Sequence, residues 1–230
     1  MTRVNFGYNL KKDTWSWVVI AKSRDLWGLD YKKETAYIPK DLLKEIKRST
    51  FAVAQRKVEN YLKNNHDKKK EKIIKNKIES LKKLWQKREK KYFNVLSKVT
   101  EKTIYRNNFG CFYTSGFMCP YNEKEGWFMV SMWHDISYSI TTICHEIMHL
   151  QFLHHYKKYL QKSGLNNNQI EDLKESLTFL LNGKEFKGII LSGDRGYPKH
   201  QKLRKKLKKI WATEVNFKYF LDKAVKVIKK

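Results

Sequence analysis

His145-Glu146-Ile147-Met148-His149 is the stretch on which the fold turns. Two histidines four residues apart lie one turn apart on one face of an α-helix, so both imidazoles can reach a single tetrahedral metal ion. Glu146, directly after the first histidine, then projects beside the ion, where a carboxylate can take a proton from water. The flanks, Ile140-Thr141-Thr142-Ile143-Cys144 and Leu150-Gln151-Phe152-Leu153, carry no charge and suit a buried helix.

The chain around this motif has 230 residues, of which 41% are hydrophobic, enough for one sizeable core with a helical appendage. No apolar run approaches the length needed to span a bilayer, so no membrane association is expected. The opening residues, Met1 to Gly7, do not read as a signal peptide because no apolar stretch follows them. Cys111, Cys119 and Cys144 show neither CxxC nor zinc-finger spacing, which fits free thiols in a reducing cytoplasm. The net charge of +26 comes from 41 lysines and eight arginines. Such a surface attracts polyanions at low salt, and the Lys-rich helices are candidates for non-specific nucleic-acid contact. Phosphate-reading surfaces, however, often favour the forked guanidinium of arginine, which this chain uses sparingly.

The pattern along the chain predicts an α+β fold: a mostly helical catalytic core, a small antiparallel sheet and a Lys-rich helical hairpin. Residues 13–21 are aromatic and β-branched and predict a strand, so 1–38 reads as an N-terminal strand region of the core. Residues 39–100 read as a basic helical hairpin opened by Pro39 and broken at Asn64-Asn65-His66-Asp67. Its buried stripe is Ile74, Ile78, Leu81, Leu84, Trp85 and Val95. Residues 101–230 read as the metal-binding core. In it, strands over 109–118 and 127–133 form a β-hairpin about a turn at Tyr121 to Gly126. Helices follow over 136–160, capped by Asp135 or Ser137, then over 169–181, 200–211 and 214–228.

Two histidines leave a metal ion short of ligands, since a catalytic zinc site uses three protein groups and one open position. His155 stands six residues after His149, but Phe152 occupies the place where a glycine would have to turn the chain back. On an unbroken helix His155 lies about 9 Å farther along the axis, so it is excluded, and His154 with it. The segment from Ile170 to Asn182 offers an alternative. Ile170, Leu173, Leu177, Leu180 and Leu181 make its apolar stripe, while Glu171, Glu175, Thr178 and Asn182 make a narrow polar one. Packed antiparallel to the first helix, such a stripe aims at the metal through Glu171 or Glu175.

With these residues the chain resembles the gluzincin zinc peptidases, the thermolysin-like zincins that join HExxH to a downstream glutamate. The resemblance covers about 40 residues and implies a zincin-like core binding Zn2+ through His145, His149 and a glutamate. Glu175-Ser176-Leu177-Thr178 is similar to the E-x-x-[ST/A] helix start that carries the third ligand in that group, which favours Glu175. Glu171 is its rival; were it the ligand, Glu175 would match the acid that orients a ligand histidine, where the group usually has Asp. The group also prefers an apolar residue at Gln151. Tyr or His often stabilises the oxyanion in these enzymes, which makes Tyr197 and His200 candidates, with Asp194 as the orienter of His200. The resemblance therefore implies a zinc metallopeptidase acting on peptides or proteins, with Glu146 as general base. The strand over 127–133 is expected to be an edge that pairs with an extended substrate. The contrasting expectation is a non-catalytic basic protein that binds nucleic acid or acidic partners and keeps a structural or degenerate metal site. DNA-repair proteases of the SprT-like type join HExxH to nucleic-acid settings, but their later third histidine has no counterpart here.

Overall fold

The computed structural model describes residues 2–65, 67–214 and 216–229. Its sheet has four strands, β1 (Arg3–Tyr8), β2 (Asn108–Thr114), β3 (Tyr121–Asn122) and β4 (Trp127–Ser131), in the order β1-β2-β4-β3. Six helices separate β1 from β2: α1 (Leu10–Lys22), α2 (Tyr31–Glu34), α3 (Lys40–Arg48), α4 (Phe51–Asn64), α5 (Lys68–Gln86) and α6 (Glu89–Thr100). After β4 come α7 (Ile136–Lys162), α8 (Asn167–Leu177), α9 (Gln201–Trp211) and α10 (Phe217–Ile228). The α+β class follows, with helix the dominant element. Among the described residues no helix is long and apolar enough to cross a membrane.

The sheet is mixed rather than antiparallel, which corrects the expected hairpin. β1 and β4 both run parallel to β2, with Val4 opposite Phe109 and Cys111 opposite Phe128. The antiparallel partner of β4 is β3, through Tyr121 opposite Phe128 and Asn122 opposite Trp127. The turn at residues 121–126 is therefore where the sequence places it, but it joins β3 to β4. The chain reverses between Thr114 and Tyr121 and again at this turn, so β4 re-enters parallel to β2. Gly126 closes the turn at φ +69°, and a Cβ there would meet the Arg106 guanidinium at 1.0 Å. The expected free edge on 127–133 is absent, because β3 covers β4 and Met129 N donates to Pro120 O at 3.1 Å.

Residues 13–21 fold as α1, not as a strand. Asn9 caps the helix by accepting from Lys12 N at 3.0 Å, and Asp13, Thr14, Trp17, Val18 and Ala21 recur at helical spacing on its buried face. Tertiary packing here overrides the β-propensity of Trp, Val and Ile. The strand in this region is instead β1, which the parallel pairing with β2 holds in place.

Residues 40–100 form four helices rather than a two-helix hairpin. The break near Asn64 to Asp67 is present, although His66 lies outside the described residues. Thr50 starts α4 by accepting from Val53 N, and a further corner separates α5 from α6 at Lys87-Arg88. Glu89 ties that corner down, accepting from Trp85 Nε1 at 2.8 Å and from Val4 N of β1 at 2.7 Å. The arms serve different clusters. Ile46, Ala54 and Val58 pack with Trp17, Val18 and Ala21, whereas Ile74, Leu81 and Trp85 join the main core around α7. Ile78, Leu84 and Val95 complete that stripe from its half-buried edge.

Alternation along the strands divides the two faces of the sheet. Phe109, Cys111, Tyr113, Phe128 and Val130 face the main core with Ile140, Ile143, Cys144 and Ile147 of α7. On the other face Trp127 meets Trp15 of α1 edge to face, ring centroids 5.1 Å apart. Asp13, fully buried, fastens α1 to the end of β2. Its carboxylate accepts from Thr114 Oγ1 at 2.8 Å, Ser115 N at 2.9 Å, Ser115 Oγ at 2.8 Å and Tyr8 OH at 3.0 Å. Burial pushes this carboxyl above the usual range, and the four donors oppose that shift. Asp13→Ala strands these donors at about 1–3 kcal/mol each. We expect a urea midpoint shift equivalent to roughly 3 kcal/mol; an unchanged midpoint would show that the pin is dispensable.

Candidate metal centre

Asp135 starts α7, its Oδ1 accepting from Tyr138 N at 2.8 Å. The helix is buried on most sides, which makes it a core element and the carrier of the site at once. His145 and His149 meet edge to face one turn apart, ring centroids 4.2 Å apart. Gln151, fully buried, is satisfied by the segment after α6: it donates to Thr103 O at 3.0 Å and accepts from Tyr105 N at 3.3 Å. His154 stacks on Tyr105 at 4.2 Å and His155 reaches Thr103 O at 3.0 Å, so both turn away from the centre.

The third group is Glu175. α8 begins at a capping box, Asn166 and Gln169 each bonding the other's backbone, and packs against α7. Glu175 Oε2 lies 3.4 Å from His145 Nε2 and 3.4 Å from His149 Nε2. The ligand atoms of the three residues fall within 4.8 Å of one another. Tetrahedral zinc with bonds of about 2.0–2.1 Å places its ligand atoms about 3.4 Å apart, the spacing of Glu175 from each histidine. His149 Nε2 and Glu175 Oε2 are buried without a hydrogen-bond partner, as is Glu146 Oε2. Buried polar atoms are rarely left unsatisfied, so their convergence fits a cation between them. Two imidazole nitrogens and one carboxylate oxygen suit zinc.

Glu171 is engaged elsewhere: Lys174 Nζ sits 2.6 Å from its Oε2, 3.1 Å from Glu175 Oε1 and 2.7 Å from Tyr121 OH. Lys174 is itself buried, so it secures one Glu175 oxygen and leaves the other facing the two histidines. Asp194 fixes the first histidine, accepting from His145 Nδ1 at 2.7 Å. This corrects its expected role as the orienter of His200. Asp194 Oδ1 in turn accepts from Thr178 Oγ1 at 2.9 Å and Arg204 Nη2 at 2.7 Å. Asn182 pairs with the Asp194 backbone in both directions at 2.8 Å. Of the polar stripe Glu171-Glu175-Thr178-Asn182, Glu175 faces the two histidines, Thr178 and Asn182 hold Asp194, and Glu171 turns to Lys174.

The titrations follow this layout. Burial favours neutral His145, but Asp194 and Glu175 outweigh it and raise the imidazole to about 10. A dication held between these ligand atoms would take the place of that proton. Burial keeps His149 well below its usual range, against the pull of Glu175. Burial would raise Glu175, yet His149, Lys174 and His145 hold it well below the carboxylate range. Burial, with Glu175 and Asp194 nearby, pushes Glu146 up to about 8 against the pull of His145 and Lys174.

A cavity of ≈ 300 Å³ opens beside His145 and Glu146, lined also by Tyr138, Asp194 and Tyr197. Tyr197 thus lines the same cavity as Glu146, its ring against Trp27 at 4.9 Å. His200 does not line this cavity; it is buried with Nε2 2.9 Å from Asp172 Oδ1. His134 and Tyr138 are lining residues that the sequence reading passed over, although Tyr138 stands seven residues before His145 on the same helical face. Lys174 and Arg204 were also missed. Lys174 carried a signal in its three-residue spacing from Glu171, whereas Arg204 carried none.

No protein-family model, curated protein or solved structure matches the chain. The metal-centre reading stands on the geometry.

Protein purified without added metal should carry about one zinc per chain by mass spectrometry. Glu175→Ala should lose it and Glu171→Ala should keep it; the reverse pattern would reassign the third ligand. Asp194→Asn should weaken zinc affinity by about 10- to 100-fold, the usual cost of removing the group behind a ligand histidine.

Proposed function

We propose that the chain is a zinc-dependent metallopeptidase that hydrolyses peptide bonds in peptide or protein substrates. The observation that carries this reading is the set of buried ligand atoms, two of them unpartnered, that meet at 3.4 Å beside a cavity containing Glu146. Zinc held by His145, His149 and Glu175 would supply a Lewis acid that polarises a carbonyl and acidifies water.

The chain's own residues account for the remaining steps. Asp194 accepts the Nδ1 proton of His145 and thereby turns the Nε2 lone pair towards the ligand point. Lys174 holds Glu175 by Oε1. Glu146 takes a proton from water as its oxygen attacks the carbonyl carbon, and delivers that proton to the nitrogen as the C–N bond breaks. Burial raises its carboxyl above the usual range, which helps it hold the proton between the two transfers. Tyr197, facing the same cavity, donates its hydroxyl hydrogen to the carbonyl oxygen as charge builds there. His200 has no part in this scheme, since its Nε2 is committed to Asp172.

Peptide entry does not use β4, whose edge is covered. The cavity itself is the binding region. Free Cys111, Cys119 and Cys144 agree with a cytoplasmic setting. A basic binding module with a structural metal site would leave the open cavity and the unpartnered Glu146 oxygen beside it without a purpose, which favours the enzyme. The lysines of α5 and α9 then give weak, salt-sensitive attraction for nucleic acid as a secondary property.

Glu146→Gln should retain zinc and lose at least about 100-fold in turnover of a quenched-fluorescent peptide library. Normal turnover in that variant would sink the mechanism. Tyr197→Phe should lower kcat by about 10-fold or more with little change in KM, the pattern of a contact made as the oxyanion forms.

A further inference from the structure

The cavity beside the metal centre has a second set of walls, supplied by the N-terminal region. Leu29, Phe117 and Met118 line it with apolar surface, and Glu34 contributes a carboxylate. Phe117 is held by the rings of Tyr37 at 5.0 Å and Trp133 at 6.0 Å, so this wall is fixed. Glu34 ends α2, whose turn is tied by Asp30 accepting from Lys32 N at 2.9 Å and by Thr35 N donating to Tyr31 O at 3.0 Å.

Among the described residues, Glu34 is an acid of the cavity wall without a basic partner. The protein has 49 basic residues against 23 acidic ones, so cations are close to hand for most carboxylates. Asp41, Glu45, Glu59, Glu123, Glu125 and Glu214 each pair with a lysine. Glu34 is half-buried, and among the described residues no lysine, arginine or histidine pairs with it. Burial and the nearby Asp30 push its carboxyl above the usual range, as happens where a cation is missing. The adjoining Lys32 and Lys33 are exposed and do not supply one.

We propose that this cavity is a subsite for a lysine or arginine side chain of the substrate, with Leu29, Phe117 and Met118 around its methylene stem and Glu34 taking its charge. The inference rests on the peptidase reading and adds a substrate class to it. A long basic side chain suits such a place, because its stem packs on apolar surface while its head seeks a carboxylate. The whole-molecule charge of +26, and Arg195 among the residues lining the cavity, repel basic peptides in general. A preference for them must therefore come from a local acid, which makes the proposal easy to isolate.

The test is binding, measured apart from turnover. Zinc-loaded Glu146→Gln protein is titrated into fluorescein-labelled peptides that differ at single positions in lysine, norleucine or glutamate. Norleucine keeps the stem and removes the charge. At one position the lysine peptide should bind about 10-fold more tightly than its norleucine counterpart. Adding Glu34→Gln should bring that ratio to about one, and Glu34→Lys should turn the preference towards glutamate. Zinc content and melting temperature of each variant establish that the fold and the centre are intact. Equal binding of lysine and norleucine peptides at every position, or a lysine preference that survives Glu34→Gln, overturns the subsite. Hydrolysis of the same peptides by the wild-type protein is read separately. A lysine preference in binding without any cleavage would overturn the peptidase reading and leave the subsite standing.

Discussion

A carboxylate held against two imidazoles in a buried place is the constraint on which the structure depends. Glu175, His145 and His149 are all buried or nearly so, and each would prefer water or a partner. The fold supports them with charges that alternate outward. Glu171 neutralises Lys174, Lys174 secures Glu175, and on the far side Arg204 secures Asp194, which secures His145. Removing one partner from such a chain strands a buried charge, at about 3–5 kcal/mol. The series therefore behaves as a unit and sets where α8, the loop carrying Asp194 and α9 must lie relative to α7.

The rest of the fold carries that unit. α7 has little free face to give up between Ser139 and Leu153, since that stretch forms the centre of the main core and bears both histidines. Gln151 illustrates the consequence. A polar residue is buried in the helix because the segment after α6 needs its backbone groups satisfied, and one amide side chain serves both Thr103 and Tyr105. The sheet lies against α7 on one face and α1 on the other. Asp13 joins α1 to the loop that begins at Ser115 and leads on to Phe117 and Met118 of the cavity wall.

The N-terminal region is thereby part of the site and not a support for it alone. Lys199 N donates to Trp27 O at 3.1 Å, and the Trp27 ring lies on Tyr197. Gly28, at φ +84°, leaves no room there: a Cβ would approach Lys199 N to 3.2 Å. Leu26, Ile20 and Met118 pack with Trp27 and Leu29 in a small apolar cluster separate from the main core. The cavity is walled by segments about a hundred residues apart in the chain, which is why no local pattern announced it.

Much of the site was legible in the sequence, because helices write their contents at short range. The spacing of His145 and His149, the polar stripe through Glu175, Thr178 and Asn182, and the caps at Asp135 and Asn166 are all relations within a few turns. The same short-range logic excluded His155 at Phe152. Strand direction was not legible, since β2 and β4 look alike whether they pair parallel or antiparallel and the deciding fact is the two reversals between them. Nor was α1, whose β-prone residues become helical because Asp13 and Trp17 find partners at Thr114 and Ser115. By itself, then, the sequence determined which side chains could form a metal centre and which helices would carry them. The tertiary structure decided that Asp194 serves His145, that Lys174 serves Glu175, and that Glu34 is left without a cation at the cavity wall. Those outcomes depend on which distant segments meet, and the balance of burial and charge across the whole fold settles that.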